Sequence, residues 1–120
     1  MSRTKIAHIA VTVLFCLAIL PGAVMDIAQP EMIVTIVEDL GLPLPLLTLI
    51  GVWKLLGVIA LAMPGRERIK EWAYAGFFFD LTGAAYVHAT ADDMAGVAPP
   101  LFLLAFLIAS YVLRARLAAD

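Results

Sequence analysis

Two ionisable residues lie deep inside long apolar segments, and no other feature of the sequence constrains the fold as strongly. Lys54 lies midway through the apolar segment 44–63, and Asp80 lies midway through the segment 72–89. An unpaired charge at the centre of a membrane helix costs roughly 2.5–3.5 kcal/mol on insertion scales. The two charges therefore favour a helix bundle in which these segments are neighbours and the side chains meet.

The apolar content predicts that lipid surrounds most of the chain. Of its 120 residues 63% are hydrophobic, whereas roughly half are apolar in a typical soluble protein. A chain of this length is a single domain, here residues 1–120. Four apolar segments approach the length of about 17–25 residues that a bilayer requires. We therefore predict an all-α membrane protein, a bundle of four transmembrane helices at about 6–25, 44–63, 72–89 and 97–113.

The first apolar segment follows a short basic leader and superficially resembles a signal peptide. Its apolar run exceeds the usual core of about 7–15 residues, and a clean cleavage site is missing. The segment is therefore interpreted as a retained transmembrane helix. We expect Pro21 and Gly22 to loosen its far end and Asp26 to mark its exit into water.

The connection 27–43 contains apolar residues at helical spacing between polar ones. Pro30 and Glu31 suit the first turn of a helix, and Gly41 and Pro43 suit a stop. This pattern predicts a short amphipathic helix that lies on the membrane surface or caps the bundle. An ordinary structured loop fits the same pattern equally well.

The basic residues predict the orientation of the bundle. Seven of the eight Lys and Arg residues fall at the chain termini or in the middle turn, and the two other connections contain none. The positive-inside rule then places both termini in the cytoplasm. The basic residues concerned are Arg3, Lys5, Arg66, Arg68, Lys70, Arg114 and Arg116.

We predict a direct Lys54–Asp80 ion pair that faces the interior of the bundle. Helices joined by a short turn are antiparallel, so the midpoints of the second and third spans lie at one depth. Small residues flank both charges and allow close helix packing: Gly51, Gly57, Gly76 and Gly83. Two roles remain open, a structural clasp that fixes the register, and a proton relay or an anchor for a polar ligand head group.

A second group of polar residues is expected at the outer side. Asp26, Tyr86 and His88 are candidates for an outer polar mouth, together with Asp92 and Asp93. The alternative is that these side chains simply face water.

Few other chemistries fit the sequence. The single cysteine, Cys16, excludes an internal disulfide and a CxxC motif. His8 and His88 belong to opposite ends of the bundle, so they do not ligate one haem iron together. Phosphate-binding loops, nucleophile elbows, HExxH motifs and basic nucleic-acid patches are missing. No catalytic residue, metal ligand, cofactor or nucleic-acid partner is therefore predicted.

Several of these residues resemble the DoxX-like branch of the DoxX superfamily. The resemblance rests on Gly51-Val-Trp-Lys54-Leu-Leu-Gly57, on Glu71-Trp-Ala-Tyr-Ala-Gly76, and on Asp80-Leu-Thr-Gly83 with His88. It implies four membrane helices in a bacterial inner membrane. Many proteins of the wider superfamily have an acidic residue where this chain has Lys54.

The resemblance leaves two functional classes open. In the first, which we favour, the protein is a non-catalytic membrane module that assembles with a partner or an oligomer, or binds a lipophilic small molecule. In the second, it is a quinone-linked redox subunit whose buried Lys54 and Asp80 handle protons. Some relatives are linked to redox complexes and others to membrane assembly, so the resemblance itself does not choose between the two.

Overall fold

The computed structural model describes residues 1–119, which form five α-helices and contain no strand. The prediction of an all-helical fold is confirmed. The helices are α1 (Arg3–Ala28), α2 (Glu31–Asp39), α3 (Leu44–Ala62), α4 (Glu67–Thr90) and α5 (Met94–Ala119).

The four long helices form a ring in which each packs against two neighbours. α1 contacts α3 and α5, and α4 contacts the same two helices from the opposite side of the ring. The bundle measures 47 × 24 × 20 Å. Its core contains Phe15 of α1 and Phe77 of α4, whose rings meet edge to face with centroids 5.0 Å apart. An aromatic pair thus joins the two helices that face each other across the ring.

Three of the helices in residues 1–119, namely α1, α3 and α5, are long and apolar enough to cross a membrane. Their outward faces remain apolar, as Leu17, Leu56 and Phe102 illustrate with more than half of each residue exposed. Such surfaces are incompatible with water over a large area but suit lipid. The chain is therefore a small membrane protein. α4 is equally long but less apolar, because it contains several ionisable residues, among them Glu67, Lys70, Glu71, Asp80 and His88.

The helix ends differ from the predicted ones at several places. α1 continues through Pro21 and ends at Ala28, because Gln29 adopts a left-handed conformation with φ 53°. α4 begins at Glu67, so most of the predicted charged turn belongs to the helix. α5 begins at Met94 and accommodates Pro99 and Pro100 in its second turn, where each proline removes one backbone hydrogen bond of the helix.

The predicted short helix in the first connection is confirmed as α2. Only one of its residues, Val37, is buried, and the helix packs lightly against α3. α3 ends at Ala62, where the sequence Pro64-Gly65 interrupts it as predicted. Gly65 has a φ of +72°, a conformation that glycine adopts without strain.

Candidate functional site

A buried ion pair joins α1 to α3. The Lys54 ammonium donates a hydrogen bond of 2.8 Å to the Asp26 carboxylate, and both side chains are largely buried. Gly51, one turn before Lys54, allows this contact. A Cβ at Gly51 would lie 2.9 Å from the Ala23 carbonyl oxygen and 2.8 Å from Ile27. The glycine thus lets the end of α1 lie directly against α3.

This geometry corrects the predicted partner of Lys54. The ammonium pairs with Asp26 of α1, and Asp80 is not its ion-pair partner within residues 1–119. The physical reason is that α1 does not end before Asp26. The helix continues to Ala28 and carries Asp26 into the interface with α3, where only 9% of the residue is exposed. Asp26 therefore does not mark the exit into water.

Asp80 nevertheless lies in the same region as Lys54. Both side chains line the same two cavities between α3 and α4. One carboxylate oxygen of Asp80, Oδ2, is buried and finds no hydrogen-bond partner in the part of the chain that the structure describes. A buried carboxylate oxygen without a partner is rare in folded proteins, because its desolvation is not compensated.

The two cavities form a continuous groove along the seam between α3 and α4. The smaller has a volume of about 450 Å³ and extends towards the start of α4. The larger, about 670 Å³, extends towards α2. They share five residues, so the charged side chains lie at their junction: Ile50, Trp53, Lys54, Gly76 and Asp80. Volumes of this order match those of small-molecule sites.

Glycines on α3 and α4 explain where the seam is closed and where it is open. A Cβ at Gly57 of α3 would lie 2.6 Å from the Phe77 ring, so the helices touch at this point. A Cβ at Gly76 or Gly83 of α4 would meet no atom within 4 Å among residues 1–119, apart from the adjoining residues and the backbone of α4 itself. The space beside these two glycines is therefore open and forms part of the groove.

The walls of the groove are apolar and aromatic. Trp53 and Trp72, the two tryptophans of the chain, both line the smaller cavity, and 57% and 71% of these residues are exposed. Phe79 lines the larger cavity and is also largely exposed. The groove thus opens outward between aromatic rims, and in a membrane that opening faces lipid. Such a site can hold an amphiphile, with its apolar part between the rims and its polar part at Asp80 and Lys54.

The residues of the predicted outer polar mouth do not all lie together in the structure. Asp26 and His88 line the larger cavity, whereas Tyr86 does not and is 68% exposed. His88 Nδ1 donates to Asp93 over 2.8 Å, and the same carboxylate accepts a hydrogen bond of 3.1 Å from the Gly96 amide. The hydrogen bond from His88 lowers the pKa of Asp93, which lies outside the apolar segments.

A second polar network lies near the opposite end of the bundle. Ser110 of α5 is 1% exposed, and its hydroxyl shares hydrogen bonds with Thr12 of α1 at 2.6 Å and Tyr74 of α4 at 2.7 Å. His8 donates to the carbonyl oxygen of Ser110 over 3.1 Å. This network was not predicted from the sequence. Its one signal was the presence of hydroxyl groups within apolar segments at similar depths.

Charged residues join α4 to α5 at the same end of the bundle as the Ser110 network. Arg114 donates to Glu71 over 2.7 Å and also pairs with Glu67, while Tyr111 donates to Glu71 over 3.1 Å. The guanidinium carbon of Arg114 lies 5.8 Å from the centroid of the Tyr74 ring. This cluster holds the start of α4 against the end of α5, away from the groove.

Comparison with known proteins identifies the family. No curated protein and no solved structure matches the chain. The sequence profile of the DoxX-like family, in contrast, matches residues 10–110. That range includes Asp26, Lys54 and Asp80, as well as both cavities. The chain therefore belongs to the DoxX-like family.

Proposed function

We propose that this DoxX-like protein crosses the bacterial inner membrane four times, with α4 as the additional span and both termini in the cytoplasm. At about 1.5 Å per residue, the 24 residues of α4 are long enough to cross the hydrocarbon core. The Arg114 cluster and the Ser110 network bring the start of α1, the start of α4 and the end of α5 to one end of the bundle. The basic residues of these segments therefore lie on one side.

This topology is tested by labelling with a membrane-impermeant thiol reagent in intact cells. Cysteines are introduced singly at Ala91 or Ala119 in a chain whose Cys16 has been replaced by serine. We expect labelling at position 91 from outside and at position 119 only after the cells are opened. A third cysteine, at Arg68 near the start of α4, tests α4 itself: we expect it to be labelled only after the cells are opened, and the same accessibility at positions 68 and 91 would mean that α4 does not cross. Inversion of the pattern at all three positions would invert the orientation, and labelling of positions 91 and 119 from the same side would mean that α5 does not cross.

The groove supports a binding function: a lipophilic small molecule enters from the bilayer and places its polar head at Asp80 and Lys54. The observation that carries this proposal is the buried Oδ2 of Asp80, which has no partner within residues 1–119 and lies at the junction of the two cavities. A ligand group at this position would supply the missing hydrogen bond. The role is binding rather than catalysis.

A quinone is one member of this ligand class and defines the alternative redox function. The Lys54 ammonium can donate to a carbonyl oxygen, and the Asp80 carboxyl group can exchange a proton with a reduced ring. The side-by-side placement of these two groups in an apolar groove favours this alternative. Electrons would then come from a partner protein, because the residues of the groove carry no redox group.

Binding is tested by identifying what the groove holds in gently extracted protein. Native mass spectrometry of the wild type is compared with that of Gly83→Leu, whose side chain fills empty space, and of Ala89→Leu, a control on the same helix outside the groove. We expect a bound molecule in the wild type and in the control but not in Gly83→Leu. Recovery of a quinone would select the redox alternative. Equal occupancy in all three proteins would reject the groove as the site.

A further inference from the structure

The charges around the groove do not balance. Asp26 and Asp80 are acidic, and Lys54 is the basic residue that lines both cavities with Asp80. Its ammonium is already engaged by Asp26 at 2.8 Å. His88 also reaches the larger cavity, but its Nδ1 donates to Asp93. Asp80 therefore forms no ion pair among residues 1–119, and the two acidic groups Asp26 and Asp80 face one basic group, Lys54.

The segments that border the end of the groove nearest α2 contain further acidic residues. The connection that contains α2 and the turn between α4 and α5 have no lysine or arginine. They contribute five carboxylates to this side of the molecule: Glu31, Glu38, Asp39, Asp92 and Asp93. Acidic surfaces beside a low-dielectric cleft concentrate cations and repel anions.

The aromatic walls favour the same sign of charge. Trp53, Trp72 and Phe77 line the smaller cavity together with Asp80, and Phe79 lines the larger one. The faces of aromatic rings attract cations within about 6 Å, and tryptophan does so most strongly. A carboxylate among aromatic residues in an apolar groove is suited to bind a cation whose charge is delocalised or shielded by hydrocarbon.

We infer that the groove selects lipophilic cations, with Asp80 as the counter-ion and the aromatic rims as the contact for the apolar part. This inference rests on the proposed binding function and specifies the chemical class of its ligand. The Lys54–Asp26 pair has a supporting role here, since it neutralises Lys54 and prevents the ammonium from repelling the bound cation. A neutral quinone would gain nothing from the unbalanced charge.

Equilibrium dialysis with three probes tests the selectivity. Radiolabelled tetraphenylphosphonium is the cation, tetraphenylborate is an anion of the same shape, and decylubiquinone is a neutral lipophile. Each is measured with the purified full-length protein and with Gly83→Leu, so that partition into detergent is subtracted. We expect saturable, Gly83→Leu-sensitive binding of the cation only.

Two charge variants identify the counter-ion. Asp80→Asn keeps the size of the side chain and should weaken cation binding by about tenfold or more. Glu67→Gln removes an exposed charge at the start of α4, outside both cavities, and should change it less than about twofold. Circular dichroism and gel filtration establish that both variants are folded. An Asp80→Gln variant provides a second neutral side chain should the asparagine variant fail to fold.

The outcomes separate this inference from the proposal on which it rests. If Gly83→Leu abolishes binding of tetraphenylborate or decylubiquinone, and either probe binds the wild type at least as tightly as tetraphenylphosphonium does, cation selectivity is overturned. The proposed binding function would remain intact. Unchanged cation affinity in folded Asp80→Asn would also overturn it. Failure of all three probes to bind in a Gly83→Leu-sensitive manner would reject the cation class, and an empty wild-type groove in native mass spectrometry would reject the binding function as well.

Discussion

The two faces of α4 differ in how completely their polar groups are satisfied. On the face towards α1 and α5, Tyr74 shares a hydrogen bond with a fully buried serine, and Phe77 packs against Phe15. On the face towards α3, Asp80 has a carboxylate oxygen without a partner in residues 1–119, and Gly83 borders empty space. One helix can therefore close a bundle on one side and keep a site open on the other.

The largest loss of stability is expected when the Lys54–Asp26 ion pair is broken, in contrast to a change at Asp80. Lys54→Met leaves Asp26 charged and buried, and loss of one partner of a buried pair costs about 3–5 kcal/mol. We expect a strong loss of folded protein, measured by thermal unfolding in detergent, and a large recovery in the double variant Lys54→Met/Asp26→Asn.

Asp80→Asn is the matched test on the open face. Its stability should stay within about 1 kcal/mol of the wild type, because the native oxygen has no hydrogen bond to lose. A loss as large as that of Lys54→Met would mean that Asp80, rather than Asp26, is the true partner of Lys54.

Glycines provide the next contrast between packed and open parts of the α3–α4 seam. Gly57→Ala forces a methyl group against the Phe77 ring, and overpacking of this kind costs about 1–3 kcal/mol. Gly76→Ala adds the same methyl group to the groove and should be neutral or slightly stabilising. Equal melting temperatures of the two variants would contradict the described difference in packing.

Loss of the central hydroxyl tests the closed face of α4. Ser110→Ala leaves the hydroxyls of Thr12 and Tyr74 without their common partner, and we expect a loss of about 1–2 kcal/mol in chemical unfolding. Thr82→Ala is the control, because within residues 1–119 its hydroxyl bonds only to backbone oxygens of its own helix. An equal loss of stability in the two variants would show that the network does not stabilise the packing of the helices on one another.

The smallest effect concerns pH. The hydrogen bond from Arg114 lowers the pKa of Glu71 below its ordinary value of 4.5. The contact therefore stabilises the folded protein above that value, and its contribution is lost as the pH falls through the lowered pKa. Because Glu71 is exposed, we expect a change below about 1 kcal/mol between about pH 7 and pH 3.

Thermal unfolding of Glu71→Gln over the same pH range provides the comparison. This variant should show a shallower decline in stability towards acidic pH than the wild type. A parallel decline of both proteins would assign the acid sensitivity to other carboxylates.

The sequence predicted the helical class, the short helix α2 and the convergence of Lys54 and Asp80 on one region. These features follow from apolar segment lengths and from the depth of two charges. The partner of Lys54 was missed because Asp26 was expected to mark the exit of the first span into water, whereas α1 continues to Ala28. The role of Ser110 was missed because apolar segments do not reveal which helix face packs inward.

The cavities were beyond the reach of the sequence for a different reason. The small residues on α3 and α4 predicted close packing along the whole seam. In the structure the Phe77 ring lies against Gly57, whereas Gly76 and Gly83 border open space. The distance between two helices depends on the bulkiest contact in their interface, and only the three-dimensional arrangement shows which contact that is.

The position of Asp26 has a consequence for biogenesis. Asp26 and Lys54 are 28 residues apart, and both precede Asp80 along the chain. A ribosome that delivers the helices in order can therefore complete the α1–α3 contact before α4 has been synthesised. Asp80 then enters a partly assembled bundle in which the nearby ammonium is already paired with Asp26.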